Sequence, residues 1–148
     1  SLRIWLSQKE MTMMELRDRL IAAARAALEL SYSPYSGFRV GAALMDEAGV
    51  IHAGTNVENA SLGLSICAER VAVFTAAALG SRRITAVAVV TETAGPTPPC
   101  GACRQVLREF ADVDLPVWIA GRGDEIEQFS LDELLPRSFS TYLDEESS

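Results

Sequence analysis

Leu16, Leu20, Ile21, Ala24, Ala27 and Leu28 recur at three- and four-residue spacings, the period that places apolar side chains on one face of a helix. The pattern predicts an amphipathic helix over about 13–30, ended by the turn formers Tyr32-Ser-Pro-Tyr-Ser-Gly37. Phe38–Met45 reads as a strand, Asp46-Glu-Ala-Gly49 as a turn and Val50-Ile-His-Ala53 as the returning strand of a hairpin. Ala68–Leu79 is rich in helix formers and stops at Gly80. Ile84–Val90 is an unbroken apolar run, as a central strand covered on both faces requires. After the Pro-rich loop Thr91–Pro99, Cys100–Phe110 has a helical pattern, Leu115–Ala120 reads as a strand and Leu131–Leu135 as a short helix. A hairpin followed by helix, strand, helix and strand predicts an α/β fold, a three-layer sandwich whose mixed central sheet carries helices on both faces.

No repeat or low-complexity tract divides the 148 residues, so one domain over 1–148 is expected. Met11-Thr-Met-Met14 offers three start positions, which marks 1–12 as an upstream extension, and 141–148, ending Asp144-Glu-Glu-Ser-Ser148, reads as a polar tail. An apolar content of 49 % supplies a core. Twenty acidic against 13 basic side chains leave a net charge of −7, which disfavours nucleic acid or an anionic membrane as partner. No run of about 18 uncharged apolar residues predicts a membrane-spanning helix. The first ten residues carry charges where a signal peptide needs its apolar stretch. A cytoplasmic protein is therefore expected. Its three cysteines are an odd number, better suited to reduced thiols in metal or redox chemistry than to a disulfide framework.

Two cysteine segments open predicted helices: Cys67-Ala-Glu69-Arg70 and Pro99-Cys100-Gly-Ala-Cys103. Free N–H groups and the positive dipole end at a helix start favour a thiolate. Cys100 and Cys103 have the spacing by which one helical turn chelates a metal, and Cys67 must be brought to them by folding. Three thiolates suit Zn²⁺, which takes four tetrahedral ligands, so the fourth position decides the function. Glu69 could stand beside the metal without binding it and move protons between a metal-activated water and a substrate. Arg70, three residues beyond Cys67, could hydrogen-bond the sulfurs and offset the formal −1 charge of zinc with three thiolates.

Bland alternatives accompany each residue. Cys100 and Cys103 could form a disulfide. His52, the single histidine, could close a structural Cys₃His site. Asn56 and Glu58 could cap a turn, Phe38 could be a core aromatic and Phe139 could dock the tail. Arg70 could be a solvated helix residue.

Asn56-Val-Glu58-Asn-Ala60, Cys67-Ala-Glu-Arg70 and Pro99-Cys-Gly-Ala-Cys-Arg-Gln105, with Tyr32-Ser-Pro-Tyr-Ser-Gly-Phe38-Arg-Val-Gly41, together resemble the short-chain, three-cysteine branch of the cytidine deaminase family. The resemblance spans about residues 13–140. It implies that Cys67, Cys100 and Cys103 hold one Zn²⁺ per subunit, with water as fourth ligand. Glu69 would protonate N3 of the pyrimidine, assist the activated water in attacking C4 and pass a proton to departing ammonia. Phe38 would pack against the base, Asn56 and Glu58 would bind the ribose 3′-hydroxyl, and the backbone at Ala68 would contact the base. Members of this branch are homotetramers, and Phe139 matches the aromatic that closes over a neighbour's pocket.

The implied activity is deamination of cytidine and 2′-deoxycytidine to the uridine nucleosides and ammonia, in pyrimidine salvage. The rivals are deamination of a cytosine-nucleoside antibiotic such as blasticidin S, and a zinc-stabilised binding module without turnover. The chain departs from the branch at Leu62, where relatives often carry a tyrosine. Leucine donates no hydrogen bond toward the 5′ side of the sugar.

Overall fold

Thr12 opens the first helix by accepting the Glu15 N–H at 3.1 Å, and α1 runs from Met13 to Leu28. In the computed structural model of the chain, residues 11–140 are described. The proposed extension lies outside them up to residue 10, as does the whole 141–148 tail. Thr12 caps α1, and Met11 just before it packs against the core on that side of the sheet.

Strands β1 (Val40–Asp46) and β2 (Ile51–Thr55) form the expected hairpin, with Gly41 opposite Thr55 and Met45 opposite Ile51. The chain continues through a 3₁₀ turn at Leu62–Leu64, helix α2 (Ala68–Ala78), strand β3 (Ile84–Thr91), helix α3 (Gly101–Phe110) and strand β4 (Pro116–Ala120). It ends in β5 (Ile126–Ser130) and the short helix α4 (Leu131–Leu134). The five strands lie in the order β2-β1-β3-β4-β5, with β3 and β4 parallel and every other pair antiparallel. The sheet is mixed, as predicted.

Alternation along the central strands builds the two covered faces. Ala42, Leu44, Val87, Val117 and Ile119 pack with Ala72, Val73 and Leu107 of α2 and α3. Ala43, Met45, Ala86, Ala88, Val90 and Trp118 pack with Leu20, Ile21, Ala24 and Leu28 of α1. The result is the three-layer α/β/α arrangement. Gly54 seats α2 on the hairpin: a Cβ there would stand 2.4 Å from Ala72 N and 2.7 Å from Ala68 O, both backbone atoms. That close approach fixes where the first turn of α2, with Cys67 and Glu69, meets the sheet.

Two features differ from the sequence expectation. The first strand begins at Val40, because Asn56 occupies the hydrogen bonds around Phe38 and Val40 that a longer ladder would use. Strand β5 is absent from the predicted order. It is an edge strand in which Glu127 and Gln128 are exposed and Ile126 and Phe129 are half-buried, so it has no apolar run. Among the described residues, no helix is long and apolar enough to cross a membrane.

Candidate metal centre and active site

Cys67 and Cys100 are the N-cap residues of α2 and α3, each with an extended backbone and no capping bond from its side chain. Their thiols are left free to converge with Cys103, one turn into α3. The Sγ atoms of Cys67 and Cys100 are 3.9 Å apart and those of Cys100 and Cys103 3.5 Å, with all three within 4.8 Å of one another. A tetrahedral zinc with Zn–S near 2.3 Å holds its sulfurs about 3.8 Å apart, whereas a disulfide needs about 2.05 Å. The thiols are free and the donor set fits zinc. Among the described residues no fourth His, Cys, Asp or Glu donor joins the cluster.

His52 does not close the site. It is buried near the other end of β1, where its Nε2 lies 2.8 Å from Asp46 Oδ2. The closed Cys₃His alternative is thereby overturned.

The cluster polarises its surroundings. The Cys67 thiol is pushed down to about 5, chiefly by the hydrogen bond it accepts from Cys103 and then by Arg70, whose Nη2 donates to Cys67 Sγ at 3.3 Å. Burial works against both. Cys103, the donor in that bond and itself buried, is pushed up. Glu69 is only 4 % exposed. Burial, reinforced by the neighbouring Cys67 thiolate, raises its carboxyl above the usual range. A carboxyl so placed holds a proton more firmly than an exposed one, as a group that takes up and releases protons at a substrate requires.

Beside the cluster lies a cleft of about 340 Å³, lined by Phe38, Asn56, Glu58, Cys67, Glu69 and Cys100 among others. Asn56 Oδ1 accepts from Ser31 Oγ at 2.5 Å and from Val40 N at 2.9 Å, and Nδ2 donates to Phe38 O at 2.7 Å. Both lone pairs are used and one N–H is left. Glu58 Oε1 accepts the Tyr35 and Ser36 N–H groups at 2.9 and 3.1 Å, and Oε2 accepts Ser36 Oγ at 2.5 Å. Hydrogen bonds from Ser36 hold its carboxyl below the usual range, and one acceptor position remains. Ser36 Oγ in turn accepts the Phe38 N–H at 3.0 Å, so Glu58 steadies the 41 % exposed Phe38 through Ser36.

The side chain of Ala68 is fully buried; only its backbone N–H, which has no intrahelical acceptor at the first position of α2, could meet a ligand. Phe139 stands outside this cleft, 77 % exposed, with its carbonyl accepting from Gln105 Nε2 at 3.1 Å. Leu62 is exposed on the 3₁₀ turn. Sequence reasoning missed Ser31 and Ser36, which hold the two polar residues. It also treated Thr91 and Thr97 as loop, although both line the cleft. The only signal was the density of hydroxyls in the two turn-forming segments.

The profile of the cytidine and deoxycytidylate deaminase zinc-binding region matches residues 14–118. The cytidine deaminase of Sporosarcina psychrophila is 46 % identical over 123 residues, covering 83 % of this chain and 90 % of the relative. That of Halalkalibacterium halodurans is 47 % identical over 124 residues, 84 % and 94 % of the two chains. The crystal structure of cytidine deaminase from Burkholderia pseudomallei superposes with a TM-score of 0.81 at 48 % identity, covering 87 % of this chain and all of that one.

Proposed function

The chain belongs to the cytidine and deoxycytidylate deaminase family, and from that premise we propose how its own residues divide the work of a zinc-dependent hydrolytic cytidine deaminase. Water replaces the amino group at C4 of cytidine or 2′-deoxycytidine: a C–O bond forms, the C4–N4 bond breaks, and uridine or deoxyuridine leaves with ammonia.

Cys67, Cys100 and Cys103 would hold zinc, which would supply Lewis-acid activation of water. Glu69 carries the two protons of the attacking water one at a time, the first to N3 and the second to the departing amino group. The buried Glu69 carboxyl beside three converging thiols is the observation that carries this reading. A merely structural site gains nothing from a carboxyl held above its usual range. Phe38 packs on the base, and the backbone N–H of Ala68 meets its polar edge. The one free N–H of Asn56 and the one free acceptor of Glu58 match the two halves of a ribose 3′-hydroxyl, which accepts one hydrogen bond and donates another. That complementarity favours an ordinary nucleoside over blasticidin S.

No Lys or Arg lines the cleft among the described residues, while two carboxylates and two thiols do. The negative lining favours uncharged nucleosides over their 5′-phosphates. The net charge of −7 speaks against nucleic acid in the same way. We read the chain as one deaminase domain assembling into a cytoplasmic homotetramer, with Phe139 closing over a neighbouring subunit's cleft; the exposure of that aromatic supports the assignment.

The test is cytidine loss followed by ultraviolet absorbance, before and after chelation and with zinc restored. Zinc-dependent turnover that Glu69→Ala abolishes without loss of bound zinc is expected. Full zinc occupancy with turnover of blasticidin S alone, or of neither substrate, would overturn the reading.

A further inference from the structure

The hydroxyls of Thr91, Thr93 and Thr97 form one chain, whose two ends, Thr91 and Thr97, line the cleft. Thr93 Oγ1 lies 2.5 Å from Gly95 O, 2.6 Å from Thr91 Oγ1 and 2.9 Å from Thr97 Oγ1. A carbonyl only accepts, so the single hydroxyl hydrogen of Thr93 goes to Gly95. The two lone pairs of Thr93 then accept from Thr91 and Thr97, whose own hydrogens are thereby committed. Thr91 and Thr97 both line the cleft; Thr93 does not. An unconstrained hydroxyl offers donor or acceptor on demand. This arrangement commits every hydroxyl hydrogen of the chain, so toward a ligand in the cleft Thr91 and Thr97 can only accept.

The loop is fixed from behind. Arg122 N–H donates to Thr93 O at 2.8 Å, and a Cβ on Gly121 would stand 2.5 Å from that oxygen and 2.6 Å from Gly95 O. Only glycine lets the end of β4 come so close. Arg25 of α1 holds the same stretch by donating to Gly121 O at 3.0 Å and Gly123 O at 3.1 Å.

We infer that Thr97, backed by Thr91, accepts the hydrogens of the substrate's exocyclic 4-amino group and so distinguishes 4-amino from 4-oxo pyrimidines. The inference rests on the deaminase reading, which puts C4 at the cysteine cluster and N3 at Glu69. The wall through Thr97, three residues before Cys100, is left to face the amino group. A 4-amino group offers hydrogens, whereas the 4-oxo group of the product offers only lone pairs. Acceptor-only oxygens attract the first and repel the second, so the substrate is held and the product is pressed to leave. The hydrogen bond strengthens as the amino group gains the proton that makes it ammonia, because charge-assisted bonds are the stronger ones.

Three ligands separate this role from a structural one: cytidine, uridine, and the pyrimidin-2-one ribonucleoside, which carries only hydrogen at C4. Thr97→Val keeps the shape and removes the acceptor. It should lower kcat/KM for cytidine by about 10-fold, chiefly in kcat, and lower Ki for uridine, with the pyrimidinone Ki within about twofold of wild type. Thr93→Val, which leaves the cleft surface untouched, releases the hydrogens of Thr91 and Thr97 and should also tighten uridine. A common shift in all three ligands, or an unchanged ratio of uridine Ki to cytidine KM in both variants, overturns the assignment. A zinc-loaded wild-type protein that fails to deaminate cytidine overturns the deaminase reading and this one with it.

Discussion

Arg70 Nη2 donates to Cys67 Sγ at 3.3 Å from one turn further along the same helix. Three thiolates around a divalent ion leave a net negative charge, which weakens the ion's hold on electrons of a bound water. The guanidinium offsets that charge without competing for the metal. Its Nε is buried with no partner among the described residues, so removing the side chain costs no hydrogen bond there. Arg70→Ala is expected to weaken zinc retention by about 10-fold and to lower kcat. Competition with a chromophoric chelator, alongside steady-state assays, checks it; unchanged affinity and unchanged turnover would make Arg70 an ordinary helix residue.

Glu58 reaches Phe38 through Ser36, in a chain of two hydrogen bonds of 2.5 and 3.0 Å. It also caps the N–H groups of Tyr35 and Ser36. In Glu58→Gln one oxygen becomes an NH₂, which confronts donors where an acceptor was. The loop that carries Phe38 must then shift, and the ribose contact proposed for Glu58 would lose its negative end. KM for cytidine should rise by about 10-fold or more with a smaller fall in kcat. Ser36→Ala keeps the carboxylate and should raise KM by only a few-fold. If Ser36→Ala equals Glu58→Gln, the carboxylate acts only through the loop and does not touch the sugar.

The convergence of the three cysteines beside Glu69 was legible because residue type at short spacing signals it, and helix starts were marked by the segments that carry them. The sheet was legible where it is buried on both faces: β3 and β4 are nearly continuous apolar runs. Strand β5 was not, since an edge strand half open to water shows no run and no clean alternation. What could not be read at all was hydrogen-bond occupancy. Asn56 and Glu58 looked like free ligands, yet each is largely committed to backbone and serine partners. Thr97 looked like a loop residue, and its polarity toward the cleft depends on Thr93 and Gly95, which only the folded loop brings together. His52, in a strand pattern, pointed more to a solvent or core position than to a ligand, and its buried contact with Asp46 places it in the core.

Asp46 gathers hydrogen bonds from Ser81 Oγ at 2.5 Å, His52 Nε2 at 2.8 Å, and the Ala48 and Val50 N–H groups at 2.9 Å. Burial alone would push its carboxyl up, but these four bonds hold it well below the usual range. A group whose folded pKa is lowered contributes stability that is present above its unfolded value, near 3.9, and lost as pH falls toward the folded one. Asp46→Asn should therefore cost about 2–3 kcal/mol at pH 7. The gap from wild type should narrow as pH drops below about 4. Urea unfolding of both proteins at pH 7 and pH 3 checks this; an equal gap at both values would show that shape, not charge, secures the hairpin end.

Phe139 is the most exposed aromatic among the described residues: 77 % exposed, beyond α4, and absent from the cleft that Phe38 lines. If it completes a neighbour's site, the two halves of one active site come from different chains. Phe139→Ala subunits then retain Glu69 and the cysteines but lack the lid they lend, while Glu69→Gln subunits lend a lid but cannot move protons. Phe139→Ala alone should lose about 10-fold in kcat/KM with the oligomeric mass unchanged. Mixing it with Glu69→Gln through a cycle of dissociation and reassembly should restore activity above the sum of the two parents, because some Phe139→Ala sites gain an intact aromatic from a Glu69→Gln neighbour. Activity that stays at the sum, from mixed assemblies verified by mass, would show that Phe139 acts within its own chain or not at all.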